Sequence, residues 1–140
     1  MDNNYFKITF SSLSINEGFA RNVASYFALR LNPSIAEITD IKTAVSEAVT
    51  NCIVHAYKGC VGDVVMECKI DGNAIHINII DSGVGIEDLD LALEPFFTTC
   101  EGDERSGMGF TIIKSFMDEF SVKSKVGEGT TVSMKKVIGL

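Results

Sequence analysis

Basic residues are scarce in this chain: 12 Lys+Arg stand against 19 Asp+Glu, giving a net charge of -7 and a pI near 4.7. That field repels phosphate backbones and excludes sequence-general nucleic-acid binding. No apolar run approaches the roughly 20 residues of a bilayer span. The opening Met-Asp-Asn-Asn-Tyr has neither the basic nor the apolar region of a signal peptide. A soluble, cytoplasmic protein without a membrane partner is expected. Cys52, Cys60, Cys68 and Cys100 form no CxxC pair, so neither a zinc site nor a disulfide framework is expected, and all four read as reduced thiols. With 140 residues, 46% of them hydrophobic and 22% charged, the chain suffices for one compact domain spanning 1–140 and leaves no room for a second.

What is present is a clear succession of periods. Phe6, Ile8 and Phe10 alternate with Lys7, Thr9 and Ser11, the pattern of a strand over Tyr5 to Ser11 with one face buried. Ile15, Phe19, Val23, Phe27 and Leu31 then follow a helical spacing that stops before Asn32-Pro33, with Glu17 and Arg21 on the solvated side. A second helix is expected from about Thr39 to Tyr57, with Ile41, Ala44, Val45, Ala48, Val49, Cys52 and Ala56 as its apolar stripe. Val64 to Ile70 and Ala74 to Asp81 read as strands around the turn Asp71-Gly72-Asn73. The pattern then breaks for more than twenty residues, apart from an amphipathic turn at Leu89 to Leu93, and a loop that long is usually functional. A third helix starts near Gly109 with Phe110, Ile113, Phe116 and Met117 on one face. Ser121 to Lys125 and Thr130 to Val137 supply the last strands. The expected class is α+β, a two-layer α/β sandwich whose mixed, mostly antiparallel sheet carries the helices on one face.

Four features carry chemistry. Glu47, Asn51 and His55 are four apart and form one row along the second helix. At roughly 100° per residue the row climbs from solvent at Glu47 to the core edge at His55. A carboxamide oxygen is a neutral Mg²⁺ ligand and a carboxylate is a base; taken alone, though, such a row is more commonly a solvated flank, and His55 a hydrogen-bonded packing residue. Asp81-Ser82-Gly83-Val84-Gly85-Ile86 leaves a strand for the long loop, where the glycines permit close approach of a flat ligand and the carboxylate can accept from an exocyclic amine. Arg105-Ser106-Gly107-Met108-Gly109-Phe110 opens the third helix, whose free N–H groups favour phosphate. It is neither a GxxxxGK[ST] loop nor a dinucleotide fingerprint. Gly127-Glu128-Gly129-Thr130-Thr131 turns into the last strand and offers a hydroxyl.

In this order on one small chain, the set resembles the ATP-binding domain of the gyrase, Hsp90, histidine kinase and MutL superfamily, the Bergerat-type fold. The N box is similar to Glu47-Ala48-Val49-Thr50-Asn51, the first glycine box to Asp81–Ile86 and the second to Gly107–Phe110. The resemblance implies ATP with Mg²⁺ held by Asn51, the adenine amine on Asp81, and Gly83 and Gly85 lining the base. It further implies Thr130 hydrogen-bonding near the adenine and a lid from about Glu87 to Ser106. The gyrase-like members need further domains, and the sensor kinases a helical domain bearing the accepting His.

Ser46–Asn51, His55-Ala56-Tyr57 and Glu104–Ile112, with Met108 and Phe110 in the second glycine box, are similar to the anti-sigma F factor family of serine kinases. That resemblance implies a homodimer that holds the sporulation sigma factor F with ATP and phosphorylates the anti-anti-sigma protein AA on Ser, Glu47 accepting the Ser proton. Glu94-Pro95-Phe96-Phe97-Thr98-Thr99 resembles the F box, but Cys100 stands where Lys often follows, and Arg105 is the better candidate for the phosphate contact. Arg21 is expected to bind protein partners; the alternative is an i,i+4 pair with Glu17. The competing functions are an ATP-dependent binding module that captures a sigma factor without catalysis, a stress-response anti-sigma kinase, and an ATPase without a protein substrate.

Overall fold

A computed structural model describes residues 4–93 and 109–139. The elements are β1 (Tyr5–Ser11), α1 (Ile15–Ala28), α2 (Ile35–Asn51), β2 (Asp63–Asp71), β3 (Ala74–Asp81), the short α3 (Leu89–Ala92), α4 (Gly109–Phe116), β4 (Glu119–Lys125) and β5 (Gly129–Val137). The strands form one sheet in the order β1-β2-β3-β5-β4, and each neighbouring pair is antiparallel. The parallel pairing allowed for in a mixed sheet does not occur among the described strands.

Strand parity sets the two faces. The register aligns Phe6, Cys68, Ile77, Met134 and Phe120 across all five strands, and Cys68, Ile77 and Met134 in that row are buried. The next row, Lys7, Glu67, Asn78, Ser133 and Ser121, is polar. One face therefore packs on the helices and the other is open, the two layers expected of an antiparallel sheet. On the helical layer α2 is central, flanked by α1 and α4. Its apolar stripe from Ile41 to Val49 is fully buried. Among the described residues, no helix is long and apolar enough to cross a membrane.

Four helix details differ from expectation. In α1 the buried face is Ala20, Ala24, Phe27 and Ala28, while Ile15 is 81% and Phe19 50% exposed. Small residues set the face that meets α2 because side-chain size fixes how closely two helix axes approach. In α2 the helix begins at Ile35, four residues before Thr39, because Ser34 Oγ accepts from Glu37 N–H at 3.1 Å while Glu37 Oε1 accepts from Ser34 N–H at 2.8 Å. This capping box contributes about 1 kcal/mol. The regular helix also stops at Asn51 and continues as a π-helical turn over Cys52–Ala56. In α4 Ile113 is buried, as is Met117 just after the helix, but Phe116 is 38% exposed.

Candidate nucleotide site

The floor of the site is built by β3. Asp81 ends that strand on the helix-facing side and is 7% exposed. Its Oδ1 accepts from the backbone N–H of Gly83 at 2.9 Å and of Thr130 at 3.2 Å. Its Oδ2 accepts the weaker thiol donor of Cys52 at 3.5 Å. Burial pushes the Asp81 carboxyl above the ordinary carboxylate range, opposed by the hydrogen bonds from Gly83, Cys52 and Thr130. Burial, and then the Asp81 charge, push the Cys52 thiol well up, so the sulfur stays protonated and serves as a donor. Oδ2 is the oxygen with acceptor capacity to offer a ligand.

A cavity of about 400 Å³ opens onto this floor, lined by Asn51, Cys52, His55, Gly85, Phe110 and Thr130 among others. The volume lies within the roughly 300–1,000 Å³ of small-molecule sites. A larger hollow of about 590 Å³ lies on the open sheet face. Surface ion pairs such as Lys135–Glu119 at 3.2 Å line it, and no glycine loop borders it.

The glycine loop fits the site by close approach. A Cβ on Gly83 would sit 2.3 Å from the Ala56 carbonyl oxygen, which also accepts from Val84 N–H at 2.9 Å. Gly83 is thus spent on contact with the end of the π-turn, whereas Gly85, at φ +76°, lines the cavity. That positive φ is cheap only for glycine. Gly109 is buried at the start of α4, where a Cβ would lie 3.0 Å from Asn51 Oδ1. The end of α2 and the start of α4 therefore meet at the Asn51 amide.

Of the residues singled out from sequence, Asn51, Asp81, Gly85, Phe110 and Thr130 line the cavity, and Gly83 and Gly109 buttress it. Glu47 is half-buried one turn before Asn51, outside the described cavity lining. His55, carried on the π-helical turn, lines the cavity together with Asn51. Arg21 binds Glu17 at 2.5 Å, and Ser46 Oγ donates to the same carboxylate, so the pair bridges α1 and α2 more than the solvated face expected. Arg105, Gly107 and Met108 lie outside the described residues, as do Cys100, residues 94–99 and most of the expected lid.

Two residues take supporting roles that no sequence pattern assigned to them. Tyr57 Oη accepts from Ser82 N–H at 2.8 Å and donates to the Asp63 carbonyl at 2.6 Å, tying the glycine loop to β2. Ser124 Oγ accepts from Ile86 N–H at 2.8 Å and lies 2.8 Å from Thr130 Oγ1. Its signal was a hydroxyl at the inward parity of β4 after Phe120 and Val122.

Residues 13–136 match the family model of the histidine kinase-like ATPase domain. The anti-sigma F factor of Thermoanaerobacter pseudethanolicus is 53% identical over 97% of this chain and 95% of its own. That of Caldanaerobacter subterraneus subsp. tengcongensis is 53% identical over 98% and 96%, and that of Clostridium kluyveri 47% over 98% and 96%. Among solved structures, the catalytic domain of histidine kinase ThkA aligns with a TM-score of 0.60 at 15% identity, over 99% of this chain and 97% of that one. The mycobacterial sensor histidine kinase MprB aligns at 0.57 and 23%, over 72% of each. These two are likenesses of fold. With a domain match across most of its length and relatives identical at about half their positions, the chain belongs to the anti-sigma F factor family of histidine kinase-like ATPase domains.

Proposed function

We propose that residues 1–140 form one ATP-binding kinase domain which, as a homodimer, holds a sporulation sigma factor F and phosphorylates an anti-anti-sigma protein AA on Ser. The observation that carries the nucleotide reading is Asp81: a buried carboxylate with Oδ1 committed to two backbone donors and Oδ2 turned to a weak thiol. Such an oxygen suits the exocyclic amine of adenine. Thr130 pairs with it across the sheet, Gly85 and Phe110 of the cavity lining would flank the base, and the phosphates would be taken by Asn51 and the N–H groups at the start of α4; Arg105, Gly107 and Met108 are assigned to them by the sequence motif alone.

Mg²⁺ fits this arrangement as a phosphate-borne ion. Among the described residues, no three His, Cys, Asp or Glu cluster to hold a metal. The side chain on offer is the Asn51 amide, and a hard cation that keeps most of its water accepts one amide oxygen beside phosphate ligands. When bound, the ion supplies charge neutralisation at the phosphates.

Glu47 stands one turn from Asn51 and is the base of the reaction. It accepts the Ser hydroxyl proton as the Ser oxygen bonds the γ-phosphorus and the β–γ bridging oxygen leaves with its electron pair on ADP. Arg21 serves the protein partners, held in place by Glu17.

Purified protein incubated with γ-labelled Mg-ATP and anti-anti-sigma protein AA tests the proposal. Label on a Ser of that protein, and capture of sigma factor F that requires ATP, are expected. Absent transfer, or capture indifferent to nucleotide, contradicts the proposal.

A further inference from the structure

Asp81, Thr130 and Ser124 stand in one row across β3, β5 and β4, since Asp81 pairs with Thr130 and Ser124 pairs with Thr130 in the strand register. The row runs from the cavity floor to a hydroxyl behind the wall: Asp81 and Thr130 line the cavity, and Ser124 lies beyond them. Ser124 Oγ has three partners, the Ile86 N–H at 2.8 Å, the Gly129 carbonyl at 3.1 Å and Thr130 Oγ1 at 2.8 Å.

A hydroxyl has one proton to give and two lone pairs. The Ile86 N–H takes one lone pair because an amide nitrogen only donates. The Gly129 carbonyl takes the proton because a carbonyl only accepts. One lone pair remains for Thr130, so Thr130 must donate its own proton to Ser124. Thr130 Oγ1, on a residue that lines the cavity with Asp81, is then left with acceptor capacity only.

We propose that Ser124 is a positioning residue that sets base specificity: by consuming the Thr130 proton it makes the end of the cavity a pair of acceptors, which selects a 6-amino purine over a 6-oxo purine. At the 6-position an exocyclic amine brings two N–H donors to those acceptors, whereas a 6-oxo group brings lone pairs against lone pairs and leaves the ring N1–H as the one donor on that edge. This deepens the ATP reading and rests on it.

ATP and ITP differ at this position, amine against oxo, while sharing ribose and phosphates. Calorimetric titration of both nucleotides into the wild type, Ser124→Ala and Ser124→Thr tests the role, with thermal unfolding of each variant alongside. In Ser124→Ala the Thr130 hydroxyl is released to donate, so ATP affinity falls about tenfold, ITP affinity holds or rises, and the ATP:ITP ratio narrows at least about fivefold. Ser124→Thr keeps the hydroxyl and restores the wild-type ratio. A merely structural Ser124 would weaken both nucleotides alike, and an unchanged ratio in Ser124→Ala overturns the proposal. A wild type that binds neither nucleotide overturns the ATP reading itself and this inference with it.

Discussion

Replacing Asp81 by Asn separates binding from folding. If the amide oxygen takes the place of Oδ1, it keeps the donors from Gly83 and Thr130 at 2.9 and 3.2 Å. Nδ2 then stands where Oδ2 stood, beside Cys52, whose sulfur is a weak acceptor. The fold loses little, but the cavity now turns a donor to the adenine amine. Losing a charged hydrogen bond and facing donor with donor costs about 3–4 kcal/mol, or roughly 100- to 1,000-fold in ATP affinity. The unliganded variant should melt no lower than the wild type at neutral pH, because burial disfavours the charged form that Asn removes. The pH sign follows from that raised pKa. A carboxyl whose folded value exceeds its unfolded one makes its best contribution to stability below the unfolded pKa and loses it as pH rises through the folded pKa. The stability advantage of Asp81→Asn should therefore grow as pH climbs above the usual 3.8. Titration with ATP beside thermal unfolding across pH measures both. Normal ATP affinity in the variant refutes the adenine role, and a marked loss of unliganded stability at neutral pH refutes the claim that Asp81 is kept for binding.

Gly83→Ala places a methyl group 2.3 Å from the Ala56 carbonyl. The loop must move, at about 1–3 kcal/mol, and thermal unfolding should show a drop of roughly 4–10 °C; an unchanged melting temperature would mean that the close contact is absent in solution. Asn51→Ala should abolish the Mg²⁺-dependent part of ATP binding while adenosine affinity stays near that of the wild type, and titrations with and without Mg²⁺ decide it. Arg21→Ala leaves Glu17 with its Ser46 bond and removes a 39% exposed arginine, so stability should change by less than about 1 kcal/mol. Pull-down with sigma factor F and anti-anti-sigma protein AA should show weakened binding, and normal binding would reduce Arg21 to the intrahelical pair.

The fold was readable where one period ruled. Strand alternation located all five strands to within two residues, because parity decides burial on a sheet with one open face. Spacing misled on α1, where the bulky Ile15 and Phe19 keep helical intervals while the contact with α2 is made by Ala20, Ala24 and Ala28. The start of α2 is written in Ser34 and Glu37, ahead of the first residue of the buried apolar stripe, Ile41. The π-turn had no such sign, since an extra residue per turn leaves no composition mark, and it brings Ala56 and the Tyr57 that follows it to the glycine loop. Within the site, acids and glycines announced themselves because few residue types can do their work. Ser124 and Tyr57 act through hydroxyls whose partners are remote in sequence, 38 residues away for Ile86 and 25 for Ser82, and only tertiary contact reveals such a role.

In the proposed reaction this cavity feeds phosphoryl transfer to a protein Ser, with Glu47 as the base. Glu47→Gln retains shape and hydrogen bonding but cannot take a proton at neutral pH. The direct measurement is the initial rate of phosphate transfer to anti-anti-sigma protein AA at saturating Mg-ATP, with ATP affinity and ATP-dependent sigma factor F capture determined on the same preparation. The account predicts near-normal affinity and capture with transfer reduced by about two to four orders of magnitude. Transfer at the wild-type rate, or lost ATP affinity, would contradict it.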